Sequence, residues 1–115
     1  MERLSRSKVI QLAKTTGRVI EYDLSGLNLT YIDLIGVQFK GSNLQGTDLS
    51  TSNFSMSDFE GANLSSADLR EGTLIETILV AANLTNADLR GSVIRGTEMT
   101  RAKIDGLKLD EGKSL

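Results

Sequence analysis

At 115 residues the chain fits one domain, and 39% apolar residues with eleven glycines is ordinary for a globular protein. It has no Cys, His or Pro and only 4% aromatics, which excludes disulfides, thiolate or imidazole metal sites, and catalytic triads or dyads built on His or Cys. A net charge of −2 argues against a generic nucleic-acid binder, where a basic field supplies most of the affinity. No apolar stretch is long enough to span a membrane, and the first sixteen residues lack the apolar centre of a secretory signal, so a cytoplasmic location is expected.

In residues 1–21, Val9, Leu12 and Ala13 follow i, i+3, i+4 spacing. This spacing predicts a short helix over Ser7–Thr16, with Ser5 or Ser7 as N-cap and Gly17 just past the end. Residues 1–16 do not fit the repeat that follows, because the position five before Val19 is Lys14.

From Leu24 onward, every fifth residue is apolar through Leu109, eighteen positions without a slip. Two residues before each, thirteen of the eighteen are Ala, Ser, Thr or Gly; one before, eleven are Asp or Asn. A step of five spirals round an α-helix and alternates faces on a flat strand. The pattern is consistent if the chain turns a corner once per pentad, with the central apolar residue and the small one two before it pointing inward. The predicted core includes Leu24, Leu44, Leu64, Leu84, Phe39, Phe54 and Phe59.

Residues 61–70 and 81–90 agree at seven of ten positions, and Asn43, Asn63 and Asn83 recur with Asp48, Asp68 and Asp88 at a spacing of 20. Four pentads therefore close one coil. Residues 22–111 make about 4.5 coils, a rod about 22 Å long at about 4.8 Å per rung, followed by a tail over 112–115.

The motif resembles that of the pentapeptide-repeat proteins, whose consensus is close to A(D/N)LXX. It stands here as Ala62-Asn63-Leu64, Ala67-Asp68-Leu69, Ala82-Asn83-Leu84 and Ala87-Asp88-Leu89. The resemblance covers about 90 of the 115 residues. It implies an all-β solenoid, a right-handed quadrilateral β-helix with a short N-terminal capping helix. It implies no enzymatic activity and no cofactor; known members act by binding other proteins.

The first coil places Tyr22, Leu27, Ile32 and Val37 where later coils hold small residues, a wide apolar layer that a helix could cover. At the other end only Leu107 is comparable. That end reads either as a frayed tail or as a place for end-to-end dimerisation, which the family uses. Among outward positions, Ile75, Ile78, Val80 and Val93 break the polar rule, with Met56 beside them and Ile35 further along. A contiguous apolar cluster often marks an interface. It reads as a lateral contact with another protein or a second copy, or else as tolerated surface apolarity.

Some pentapeptide-repeat proteins bind DNA gyrase as rods that imitate duplex DNA. Residues 22–69 carry six acids against Lys40 alone, which is sparse beside one charge per roughly 1.7 Å of duplex. Arg70 and Arg90 stand two residues past Asp68 and Asp88 and should partly neutralise that row. The Asp and Asn residues read mainly as partners of the turn backbone. A flat-sided rod offers no catalytic cleft, and no metal is expected. The expected function is a non-enzymatic protein-binding or scaffold module, without direct contact to nucleic acid or membrane. The alternative is a DNA-mimic inhibitor or protector of gyrase.

Overall fold

Each pentad makes one short extended step and one corner. The carbonyl of the central residue accepts from the N–H three residues on, as in Ser42 to Phe39 and Ala67 to Leu64, both 3.1 Å. The residue two past the centre has positive φ at all eighteen corners from Glu21 to Gly106, as the third position of a type II turn requires. Eight of these corners are glycine, and the others include Tyr31, Met56 and Ala81.

Coils are joined by backbone bonds between residues about twenty apart. Leu44 N–H donates to Asn63 O (2.7 Å), Asn43 N–H to Tyr22 O (2.9 Å), and Gly46 N–H to Ser65 O (2.9 Å). Parallel bridges spaced by 20 run from Arg3↔Asp23 to Asp88↔Lys108. The computed structural model describes residues 1–115 as a square coil with four walls. The first wall is centred on Leu24, Leu44, Leu64, Leu84 and Ile104, and the second on Leu29, Leu49, Leu69, Leu89 and Leu109. The third is centred on Leu34, Phe54, Leu74 and Ile94, and the fourth on Val19, Phe39, Phe59, Leu79 and Met99.

The central residues from Val19 to Leu89 are buried, as are Ala62, Ala67, Ala82 and Ala87 in the small positions. Phe39 and Phe59 stack on the fourth wall with centroids 4.8 Å apart, and Phe54 meets Phe59 edge-on at 5.6 Å. Gly72 takes the small position beside Phe54 because a Cβ there would stand 3.2 Å from the ring and 3.1 Å from Leu69 O.

Where the small residue is Ser or Thr, its hydroxyl is used. Thr47 Oγ1 donates to Leu24 O (2.8 Å) and Thr77 Oγ1 to Phe54 O (2.9 Å), one coil back. In the first coil the bulky Tyr22 and Ile32 open their turns, and a serine of the next coil closes each one. Ser42 Oγ accepts from Tyr22 N–H (3.1 Å) and donates to Val19 O (2.8 Å). Ser52 Oγ does the same between Ile32 N–H (2.9 Å) and Leu29 O (2.6 Å).

The N-terminal helix, α1, spans Arg6–Thr15, with Ser5 as N-cap accepting from Lys8 N–H and Gly17 in the left-handed conformation after it. Its bounds lie one residue earlier than Ser7–Thr16, because Ser5 rather than Ser7 takes the N-cap. Val9 is fully buried, and Leu12 and Ala13, like Tyr22, Leu27 and Ile32 of the first coil, are partly buried against the core.

The structure corrects one expectation about this region: residues before the helix do join the repeat. Glu2–Leu4 form a rung on the first wall, with Leu4 N–H donating to Asp23 O (3.2 Å) and Asp23 N–H to Glu2 O (2.8 Å). Leu4 is buried at the position twenty before Leu24. Lys14 breaks the count of five only because helix α1 replaces the corner there. The rung and the helical layer, about 10 Å thick, also explain a long axis of 39 Å in place of about 22 Å.

Candidate functional site

The four walls differ in chemistry. All eleven Asp and Asn residues that precede a central position accept, through Oδ1, the N–H two residues on, at 2.9–3.1 Å. These side chains brace the turns, as short polar side chains do next to backbone corners. The first wall carries the Asn43, Asn63, Asn83 column in this role.

The second wall carries Asp48, Asp68 and Asp88. Arg70 Nε and Nη2 reach the two carboxylate oxygens of Asp68 at 2.9 and 2.7 Å, and Arg90 grips Asp88 at the same distances. Each fork holds its carboxyl below the ordinary value near 3.8. Asp23 is lowered as well, chiefly by the Ser25 N–H and hydroxyl. The row is thus a ladder of bidentate ion pairs, with Asp48 held by Ser50 Oγ instead (2.6 Å). Its outward negative charge is largely spent inside the wall.

The third and fourth walls carry the apolar exceptions. Ile35, Ser55, Ile75 and Arg95 form one column of the third wall, with Val93 on the neighbouring column and Met56 at the corner toward the fourth. Ile78 and Val80 flank Leu79 on the fourth wall, with Asp58 and Glu60 one coil back and Glu98 and Thr100 one coil on. Ile35, Met56 and Val93 are 44%, 55% and 44% exposed, while Ile75, Ile78 and Val80 are half-buried against their neighbours.

On the third and fourth walls Thr73 and Ile78, like Gln38, Val93 and Glu98, occupy positions that Asp or Asn hold elsewhere, so these turns lose their usual acceptor. The third wall compensates: Ile75 N–H donates instead to Ser55 Oγ of the previous coil (3.2 Å). Ser55 is buried for this purpose. Its role was invisible in the sequence, where Ser55 reads as one more outward polar residue.

A second kind of surface lies at the C-terminal end. Ile94, Met99, Leu107 and Leu109 are only partly buried and Ile104 is 46% exposed, whereas Leu74, Leu79 and Leu84 one coil earlier are all 0% exposed. The tail turns back over one corner. Asp110 Oδ1 accepts from Gly91 N–H (2.9 Å), and Lys113 Nζ donates to Ser92 O (3.3 Å) while pairing with Asp110 (3.6 Å).

The family model for pentapeptide repeats matches residues 23–55, 57–96 and 77–111 in eight copies, and the chain belongs to this family. No curated protein sequence matches it at a significant level. Among solved structures it is similar to HetL, a pentapeptide repeat protein involved in heterocyst differentiation regulation in the cyanobacterium Nostoc sp. strain PCC 7120. The two share 28% identity at a TM-score of 0.59, over 85% of this chain and 43% of HetL. It is similar also to a pentapeptide repeat protein of the Arabidopsis thaliana thylakoid lumen, with 29% identity and a TM-score of 0.54 over 83% of this chain and 67% of that one.

QnrB1, a plasmid-mediated fluoroquinolone resistance protein, superimposes at a TM-score of 0.76 with 20% identity, over 92% of this chain and 52% of QnrB1. The fold is the right-handed quadrilateral β-helix these structures share. The chain spans about half the length of QnrB1 and less than half of HetL. No helix is long and apolar enough to cross a membrane.

Proposed function

We propose that this pentapeptide-repeat chain is a non-enzymatic binding module whose contact surface is the apolar corner of the third and fourth walls. The observation that carries this reading is the Ile78–Val80 pair. It replaces a turn-bracing residue and an outward polar residue in one pentad, gives up a local hydrogen bond, and sits among Glu60, Glu98 and Asp58, the last paired with Lys40 at 3.4 Å. Together with Ile75, Val93 and Met56 it suits a partner, or a second copy, that presents apolar side chains within a basic rim.

A side of the whole rod, 39 × 22 Å with the helical layer included, offers roughly 850 Å² per partner, the size of a standard specific interface. The alternative role, gyrase binding by DNA mimicry, draws support from the QnrB1 superposition. The Arg70–Asp68 and Arg90–Asp88 forks weigh against it, because they neutralise the one aligned acidic row.

The test uses Ile78→Asn with Val80→Thr. Asn at 78 restores the side-chain acceptor for the N–H of residue 80, so the fold keeps its stability while the apolar contact disappears. Light scattering on the eluted protein, and pull-down from the native cell, should show a complex for the wild type that the double variant loses. A complex that survives the change removes the corner as the contact surface.

A further inference from the structure

Helix α1 covers the first coil but leaves a groove along one edge. Arg6, Ile10 and Lys14 follow at spacings of four, so they share that edge of the helix. Across from them stand Tyr31, Ile32 and Asp33, where the second wall turns into the third. The groove between has a volume of about 270 Å³. Ile10, Ala13 and Ile32 are its partly buried residues, and Lys14, Tyr31 and Asp33 its exposed ones. Arg6 ties the two banks together by donating to Asn28 O (2.8 Å) and Thr30 O (3.2 Å).

Two observations set this groove apart from ordinary packing. Tyr31 is 79% exposed, more than any other large apolar or aromatic side chain, and it sits at a corner with φ 55°. Gly91 takes the same corner three coils on, as suits a left-handed conformation. An aromatic ring that is neither buried nor in a favoured backbone conformation does little for the fold, and such outliers gather at binding surfaces. The second observation is charge. The ion pairs of the chain are Arg3–Asp23, Lys40–Asp58, Arg70–Asp68, Arg90–Asp88 and Lys113–Asp110. Arg6, Lys8 and Lys14 on the helix, and Arg18 after it, therefore hold no carboxylate, and the helix contains no acid of its own.

We infer that this groove receives one large apolar side chain from an acidic segment of another protein. Its volume lies below the roughly 300–1,000 Å³ of small-molecule sites, which suits a single side chain rather than a whole ligand. Tyr31 flanks the anchor, a residue type that often dominates interface energies. Carboxylates beside the anchor meet Lys14 at the rim, and the other cations of the cap strengthen the attraction. Asp33 is the one acid at the groove; it repels a carboxylate on its own bank and so turns the acids of the segment toward the helix. Nucleic acid would match the charge but leave the apolar floor unused. Tyr31 lies across the third wall from Ile78 and Val80, so this surface stands or falls independently of the lateral contact.

The probe is the fluorescein-labelled peptide Gly-Ser-Glu-Glu-Phe-Glu-Glu-Ser-Gly, read by anisotropy against the whole chain. Saturable binding is expected, and it should persist with Leu in place of Phe. Ala at that place, or Gln for every Glu, should weaken binding at least about fivefold. Tyr31→Gly should weaken it by a similar factor while melting no lower than the wild type, because glycine suits the corner. Lys14→Gln should weaken it at least about twofold.

Absence of saturable binding overturns the proposal, and so does equal binding of the Phe and Ala peptides. Random-sequence duplex DNA that binds as tightly, and binds Tyr31→Gly equally well, assigns the cap to polyanions at large and also overturns it. A wild-type dimer in light scattering that Tyr31→Gly dissociates and the peptide does not displace would assign the groove to a second copy instead.

Discussion

The two ends of this rod are made from the same pentads and are finished differently. At the N-terminal end the Glu2–Leu4 rung pairs with the first wall, Arg6 donates to Asn28 O (2.8 Å) and Thr30 O (3.2 Å) on the second, and Gln38 N–H on the fourth finds Gly17 O (2.9 Å). Helix α1 then lies over a layer whose small slots are enlarged to Tyr22, Leu27, Ile32 and Val37. At the C-terminal end the slots stay small except at Leu107, the central residues are partly open to water, and two side chains stand in for a missing rung. The difference teaches what capping a solenoid requires. Satisfying the edge hydrogen bonds is one part, and replacing the interior pattern with one that no further coil can match is the other.

The largest expected effect tests whether the covered end behaves as interior. Leu24→Ala and Leu84→Ala should each cost about 2–5 kcal/mol, as for other buried leucines. Ile104→Ala should cost under about 1 kcal/mol, because much of its side chain is already hydrated. Urea unfolding of the three variants measures the contrast; a Leu24 variant as mild as the Ile104 one breaks it.

Next comes the serine bridge. Ser52→Ala should cost about 1–3 kcal/mol, since it strands both Ile32 N–H and Leu29 O. Ser57→Ala should cost under about 1 kcal/mol, because Leu34 O keeps its bond from Val37 N–H (3.2 Å). Equal costs in the same unfolding assay would show that the bulky first coil does not depend on its serines.

The pH dependence belongs to the middle of the rod rather than to either end. Asp68 and Asp88 have folded-state values below the ordinary one, so their pairing stabilises the protein above about pH 4. That contribution is lost as pH falls through the lowered values. The melting temperature of the wild type should drop more steeply below pH 4 than that of Asp68→Asn with Asp88→Asn. The smallest effect is expected from Lys113→Ala, within about 0.5 kcal/mol, because its pair with Asp110 is exposed. A larger loss would mean that the tail is a true cap.

Most of this architecture was legible in the chain because the repeat states it eighteen times. The inward Leu and Phe positions, the small slots and the twenty-residue coil all follow from spacing, and the Asp and Asn columns brace turns as their chemistry suggests. Three features were hidden for a physical reason. Leu4 lies in register only once a ten-residue helix stands in for a corner, which no count of five reveals. Ser42, Ser52 and Ser55 act on neighbouring coils, and a residue's duty toward a partner twenty positions away is not written in its own pentad. The half-burial of Ile75, Ile78 and Val80 depends on the length of flanking side chains, whereas the repeat fixes only direction.

The square cross-section also sets the arithmetic of change in length. Inserting twenty residues at a corner lengthens the rod by one layer and leaves every downstream side chain on its own wall. Inserting five keeps each residue's inward or outward role but turns everything beyond it by a quarter. Placed before Thr77, such an insertion would carry Ile78 and Val80 onto the first wall, with Ile78 in line with the asparagine column, and Val93 onto the fourth, while the core would still close. The fold therefore tolerates a class of insertions that its surface does not, and the length of the chain between two contact residues is part of how this molecule encodes what it can touch.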